Sequence, residues 1–155
     1  MTAEPPAPED RLMPTDRMAR FESFIGTWNT RGAVLATDDA PATTLVATDV
    51  YRWGPGRRFV VHDVDARFGD DVARSMEVVG YDPRRKRHVA RSYDDQGASE
   101  EFDVALHGRR WRIVGETARF DGKFDAAGDR LSGLWERKGR RSRWQPWIEL
   151  ELVRA

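Results

Sequence analysis

The sequence contains no cysteine among its 155 residues. Disulfide bonds, thiolate nucleophiles and zinc sites built on cysteine are therefore excluded. Histidine occurs only three times, so we expect no metal site and no resident cofactor. No stretch approaches the roughly 20 apolar residues of a membrane-spanning helix, and no apolar run near the N-terminus is typical of a signal peptide. These absences predict a cytoplasmic protein without a membrane span.

Charge of either sign is not in excess, because 26 basic and 26 acidic residues give a formal net charge of zero. No overall field therefore attracts nucleic acid or an anionic membrane, and neither is expected as a partner. The densest basic run is 137–143, in which five of seven residues are Arg or Lys. At zero net charge this run indicates a solvated turn rather than an anion site. Signature motifs for phosphate loops, dinucleotides and nucleophile elbows are also absent.

The chain length suits one domain, which we place at residues 15–155. Residues 1–14 are rich in proline and acidic side chains, a composition that predicts a disordered tail. Thr15 or Asp16 is suited to cap a short helix that ends at Gly26. Its apolar positions at helical spacing are Met18, Phe21, Phe24 and Ile25. About ten residues form a marginal helix alone, so we expect it to pack across one mouth of a barrel.

From Thr27 onward the helical period gives way to alternating apolar and polar residues between Gly, Pro and Asp turns. The predicted strands lie near 27–36, 44–53, 58–66, 72–81, 87–93, 100–107, 110–117, 119–125, 130–138 and 146–153. Such alternation is typical of strands with one buried face and one solvent-exposed face. About ten strands joined by short loops favour an all-β, antiparallel, up-and-down arrangement, and closure into a single barrel removes exposed edges.

The segment Gly26-Thr27-Trp28 resembles the Gly-x-Trp opening of lipocalins and other calycin-type barrels. In such barrels a basic residue after the last strand covers the Trp. Arg154 follows the last predicted strand and is in the right place to do so. The resemblance implies a lipocalin-like barrel with one end sealed by cation–π stacking.

Four further segments resemble the DUF1579 family of lipocalin-like proteins. They are Gly56–His62, Val79–Pro83, Ser92–Gly97 and Leu131–Glu136, and the likeness extends over residues 17 to 154. The resemblance implies the fold but not an activity, because no activity defines that family and a fold does not fix a function. Nitrobindin, a second calycin-type barrel, binds haem through a His late in the chain. The last His here is His107, so a haem-binding barrel of that kind is disfavoured.

His62 is the first candidate for a functional side chain. It shares a predicted strand face with Val60, Val64 and Ala66, which places it inside a mainly apolar barrel. A histidine there could anchor a ligand or act as a general acid or base. The alternative is a core histidine paired with a tyrosine or a backbone carbonyl.

Arg91 and Tyr93 are candidate ligand contacts because they share a strand face with Val89. If that face points inward, Arg91 could clamp a ligand carboxylate and Tyr93 could donate to it. If it points outward, Ala90 and Ser92 face the interior and Arg91 is solvated. The alternation within this strand leaves both arrangements open.

Trp53, Trp111, Trp135 and Trp147 could line an aromatic pocket or pack in the core. Gly133, on the same predicted face as Trp135, leaves room beside that ring and favours a cavity there. The first three tryptophans complete the predicted ligand-binding set with His62, Arg91 and Tyr93.

Three functions fit these residues. The first is the binding of a small hydrophobic molecule in the barrel, with a polar end oriented by His62. The second is a biosynthetic cyclase or isomerase that uses the same cavity and His62 as acid or base. The third is a structural protein with a filled barrel. Pairing of two chains through an outer face also stays open, and the sequence names no ligand.

Overall fold

The computed structural model describes residues 17–155, so the predicted tail of residues 1–14 lies outside the described residues. Ten β-strands are present, the number that alternation predicts, and their bounds are close to the predicted ones. They are β1 (Gly26–Val34), β2 (Thr43–Trp53), β3 (Phe59–Phe68), β4 (Asp71–Asp82), β5 (Arg87–Asp94), β6 (Ser99–His107), β7 (Arg110–Val114), β8 (Ala118–Phe124), β9 (Arg130–Lys138) and β10 (Trp144–Arg154). Within this described part of the chain there are also three short 3₁₀ helices, at Ala19–Phe24, Pro55–Arg57 and Arg140–Ser142.

Each strand pairs antiparallel with the next, and β10 returns to pair with β1. The sheet is therefore a closed barrel without a free edge. Side chains alternate between its inner and outer faces. On β6, for example, Phe102, Val104 and Leu106 are buried. The prediction of an all-β, closed antiparallel barrel is confirmed.

The strands run up and down, so their connections fall at two ends of the barrel. The closed end carries the turns that follow β2, β4, β6 and β8, together with the 3₁₀ helix Ala19–Phe24. The open end carries the connections that follow β1, β3, β5, β7 and β9.

The N-terminal 3₁₀ helix fills the closed end. It is six residues long, shorter and tighter than the predicted helix. A 3₁₀ helix has three residues per turn, so Met18, Phe21 and Phe24 align on one face, and each is at most 2% exposed. The Phe24 ring lies 4.8 Å from Trp111 and 5.1 Å from Tyr51, centroid to centroid. The expectation that this segment closes one mouth is confirmed.

Arg154 seals the same end, as the Gly-x-Trp pattern predicts. Its guanidinium lies 4.1 Å from the centroid of the Trp28 ring. Its nitrogens donate to the carbonyl oxygens of Ile25 at 2.8 Å, Ser23 at 2.9 Å and Gly128 at 3.1 Å. One side chain thus links the last strand to the N-terminal segment and to the turn between β8 and β9.

Replacing Arg154 by alanine is expected to lower the free energy of unfolding by about 2 kcal/mol, because it removes a cation–π contact and three charge-assisted hydrogen bonds. Urea unfolding followed by tryptophan fluorescence measures the loss. Arg112→Ala, at an exposed site on β7, is the matched control and should change stability by less than about 0.5 kcal/mol. Equal losses in the two variants would contradict the sealing role.

Candidate functional site

The barrel encloses a cavity of about 780 Å³, a size typical of pockets for small molecules. Trp111, Leu131 and Leu152 form its inner end, above the 3₁₀ helix, and Phe68 and Ala73 lie near the open end. The interior is therefore not filled by side chains, which argues against a purely structural barrel.

One side of the cavity is apolar. We call it the apolar wall; it consists of Trp111, Ile113, Phe120, Leu131, Trp135 and Leu150, all on β7 to β10. A bulge adds Trp147, because the pairing of β10 with β9 shifts between Pro146 and Ile148. The extra residue lets Trp147 and Ile148 both line the cavity.

Gly133 has a different role from the predicted one. A Cβ built on Gly133 would lie 2.5 Å from the Phe120 ring, and one on Gly122 would lie 2.6 Å from it. The Phe120 ring, rather than empty space, therefore occupies the room that these glycines leave. Phe120 in turn packs 5.4 Å from Trp135, centroid to centroid.

The other side of the cavity carries most of its polar groups. We call it the polar wall; it consists of Asp49, His62, Ser75, Glu77, Ser92 and Glu100, on β2 to β6. Strand register explains their grouping, since His62 pairs with Glu77, Glu77 with Ser92, and Ser92 with Glu100. Partners on adjacent strands point to the same face, so these side chains form one row across the inner surface.

His62 sits at the centre of a hydrogen-bonded group. Its Nε2 lies 2.7 Å from Asp49 Oδ1, and Thr30 Oγ1 donates to the other oxygen of Asp49. Its Nδ1 lies 3.6 Å from Glu77 Oε1, and this buried nitrogen has no hydrogen-bond partner among residues 17–155. The Tyr51 ring stacks on the imidazole with centroids 3.9 Å apart. The imidazole is thus held in place on three sides.

The two carboxylates keep His62 protonated. Burial alone lowers the pKa of His62, but the hydrogen bond to Asp49 and the nearby negative charges of Asp49 and Glu77 raise it to about 9. At neutral pH the group therefore holds one imidazolium between two carboxylates, with a net charge of −1.

Other titratable groups of the cavity also respond to a negative environment. Burial, then the charges of Asp49 and Glu77, raise the pKa of the Tyr51 hydroxyl well above its ordinary value. Partial burial and the charge of Glu116 raise the pKa of Glu100. The interior thus favours neutral or positive forms of the groups within it.

Three of the six sequence-predicted ligand contacts line the cavity: His62 on the polar wall, and Trp111 and Trp135 on the apolar wall. Trp53 does not. It packs at the closed end, where its Nε1 donates to Glu22 Oε2 at 2.7 Å. Trp53 therefore holds the N-terminal segment in place.

Arg91 and Tyr93 lie on the outer face of the barrel. They border a shallow groove with Phe59, and Arg91 Nε lies 3.3 Å from Glu101 Oε2. Of the two arrangements that the sequence left open, the structure has the one in which Ser92 faces the interior. Neither Arg91 nor Tyr93 reaches the cavity.

Sequence reasoning missed Asp49, Glu77 and Thr30. A signal for Asp49 was available, because it alternates with Leu45, Ala47 and Tyr51 on one face of β2. A carboxylate within such an apolar set is the same anomaly that drew attention to His62.

None of the three histidines presents an unprotonated ring nitrogen to the cavity at neutral pH, because His62 is protonated and the other two do not line it. Both nitrogens of His62 face carboxylates, and His88 Nε2 contacts the carbonyl oxygen of Arg17 at 2.6 Å. His107 is exposed at the closed end of β6. These residues therefore do not fit haem ligation. Within residues 17–155 no three His, Asp or Glu side chains are arranged to hold a metal ion, and no helix there is long and apolar enough to cross a membrane.

Comparison with known proteins gives a family and a fold. Residues 13–102 match the family described as "Protein of unknown function (DUF1579)". No curated protein matches the sequence.

Solved structures share the barrel, two of them over nearly the whole of both chains. Rv2717c from M. tuberculosis is 13% identical, with a TM-score of 0.69, over 92% of this chain and 99% of its own. The S-type phycobiliprotein lyase CPES from Guillardia theta is 11% identical, with a TM-score of 0.51, over 97% of this chain and 98% of its own. At these identities the likeness is one of fold alone.

Proposed function

We propose that this chain, which belongs to the DUF1579 family, binds a small and largely apolar molecule inside its barrel, in the manner of a lipocalin-like carrier. The observation that carries the proposal is the two-sided cavity of about 780 Å³. The ligand's apolar body lies against the apolar wall, and its polar group faces the polar wall.

Burial of apolar surface supplies the affinity, and the polar wall supplies the orientation. Ligand pockets combine predominantly apolar walls with a few convergent polar groups, which matches this division between β7–β10 and β2–β6. Asp49, His62 and Thr30 are fixed by their mutual hydrogen bonds. A fixed polar group binds a ligand without losing much side-chain freedom.

The test uses N-phenyl-1-naphthylamine, an uncharged probe whose fluorescence rises in apolar surroundings. We expect one probe per chain, and we expect Ser75→Trp to weaken its binding by about tenfold or more because the new ring occupies the cavity. Met76→Trp is the matched control, since Met76 is the next residue of β4 and is 38% exposed.

The two variants place the same new ring on opposite faces of β4. Circular dichroism of both checks the fold. Unchanged affinity in Ser75→Trp, or an equal loss in Met76→Trp, would place the probe outside the barrel and contradict the proposal. Native mass spectrometry of the freshly purified protein would in addition identify a co-purified ligand.

A second candidate is an isomerase or cyclase in which His62 transfers a proton. The observation that favours it is the 2.7 Å contact between His62 Nε2 and Asp49, an arrangement in which a carboxylate orients a catalytic imidazole. Because its pKa is raised to about 9, His62 is a proton donor at neutral pH.

A comparison of His62→Gln with the unchanged protein separates the two functions. For a carrier, a bound compound is recovered unaltered from both proteins. For an enzyme, chromatography of the recovered compound shows a new isomer with the unchanged protein and none with His62→Gln.

A further inference from the structure

We infer that the molecule bound in this cavity carries a cationic amine, and that the amine lies between Glu77 and Glu100 on the polar wall. This inference rests on the proposed function and specifies its ligand. It follows from the register of β4, β5 and β6, from the distribution of charge in the cavity and from the aromatic rings beside the polar wall.

The register places one carboxylate on each side of a hydroxyl. Glu77 pairs with Ser92, and Ser92 pairs with Glu100. All three line the cavity. Adjacent strands are about 4.8 Å apart, so the Cα atoms of Glu77 and Glu100 are separated by about 10 Å. This gap accommodates an ammonium group that donates to both carboxylates and to the Ser92 hydroxyl.

An unpartnered hydroxyl beside this gap is available to a ligand. Tyr51 is 8% exposed and lines the cavity, and no side-chain hydrogen bond of the described residues involves its hydroxyl. Burial of polar groups without partners is costly. A ligand amine offers donors that the Tyr51 and Glu77 oxygens can accept.

Aromatic rings adjoin the same gap. Phe102 follows Glu100 by two residues and therefore shares its strand face. Its ring lies 6.2 Å from that of Trp135, centroid to centroid, and both residues line the cavity. Faces of aromatic rings attract cations. Carboxylates on one side and rings on the other favour an organic cation over an uncharged polar group.

The positively charged side chains that line the cavity do not favour a ligand carboxylate in the gap between Glu77 and Glu100. His62 is already held by Asp49 and Glu77. Arg137 and Lys138 also line the cavity, but on β9, which lies across the barrel from Glu77 on β4. Arg137 lies 4.9 Å from the Trp147 ring centroid, and Lys138 lies 5.3 Å from the Trp144 ring centroid. The polar wall thus has three carboxylates and one imidazolium, and an anion placed there would meet net repulsion.

The experiment compares three compounds with one apolar body: 2-naphthylmethylamine, 2-naphthylmethanol and 2-naphthoate. Each displaces N-phenyl-1-naphthylamine from the purified full-length protein at pH 7. We expect the amine to bind at least about tenfold more tightly than the carboxylate, with the alcohol between them.

Two substitutions locate the amine. Glu77→Gln removes one carboxylate, and Ser92→Lys places a fixed ammonium between Glu77 and Glu100. Each should reduce the amine-to-carboxylate affinity ratio to within about threefold. Glu101→Gln, on the outer face beside Arg85 and Arg91, is the matched control and should leave the ratio unchanged.

The outcomes separate this inference from the proposed function. Tighter binding of the carboxylate than of the amine overturns the inference by itself, without any variant. A ratio that neither folded variant changes also overturns it. In both cases, displacement of the probe leaves the proposed function standing. Failure of the unchanged protein to bind the probe or any of the three compounds overturns both.

Discussion

Replacement of Asp49 by alanine is expected to lower the free energy of unfolding by about 3–5 kcal/mol, the usual cost of removing one partner from a buried, hydrogen-bonded charge pair. Asp49 is 6% exposed and Thr30 is 4% exposed. The substitution leaves the His62 imidazolium without its 2.7 Å acceptor and leaves the Thr30 hydroxyl without a partner. The lost contacts link three neighbouring strands, so no single side-chain rotation replaces them.

Asp63→Ala is the matched control for Asp49→Ala. Asp63 lies on β3 next to His62 but faces outward, where its half-exposed carboxylate is 3.4 Å from Arg52. Exposed ion pairs contribute little, so its removal should cost less than about 1 kcal/mol. Urea unfolding at pH 7 measures both variants. Similar losses for the two would show that Asp49 is as well solvated as a surface carboxylate, and the account of the polar wall would be wrong.

The barrel could be predicted from the sequence because its evidence is local. Alternation of apolar and polar residues defines strands, and turn residues separate them, so short connections alone suggest the meander. The N-terminal helix shows the limit of such patterns. Met18, Phe21 and Phe24 are spaced by three, which fits one face of either an α-helix or a 3₁₀ helix, and packing against the closed end selects the tighter form.

The inward face of a strand could be predicted only where one face is clearly more apolar than the other. On β3 an apolar set marks the face of His62. On β5 both faces are buried in part, since Val89 is 2% exposed on the outside and Ala90 is fully buried on the inside. Alternation could not decide between them, and the predicted contacts Arg91 and Tyr93 lie on the outer face.

The partners of His62 were beyond sequence reasoning for a different reason. Asp49 and Glu77 meet His62 through the pairing of β2, β3 and β4. A shift of one residue in either register would turn one of them away from the cavity. Register depends on the whole barrel, so the hydrogen-bonded group becomes visible only in the structure.

The stability of the protein is expected to fall by about 3 kcal/mol as the pH rises from 6.5 to 9.5, through the deprotonation of His62. Its pKa is about 9 in the folded protein against an ordinary value of 6.5. The folded state therefore holds a proton that the unfolded chain has released. The resulting stabilisation is complete below pH 6.5, declines by about 1.4 kcal/mol per pH unit above it, and is lost as the pH passes 9.

Urea unfolding at intervals between pH 6 and 9.5 measures this slope. Asp49 and Glu77 face His62 from β2 and β4, and the Tyr51 ring covers it, so the slope belongs to this group. His62→Gln should flatten the dependence. His88→Gln should keep the slope above pH 7, because burial lowers the pKa of His88 and a lowered histidine pKa affects stability only at and below its ordinary value. If the unchanged protein and His62→Gln have the same slope, His62 does not hold its proton in the folded barrel. The group of Asp49, His62 and Glu77 would then carry a net charge of −2 instead of −1, because a neutral imidazole no longer offsets either carboxylate, and its repulsion of an anionic ligand would be stronger than we propose.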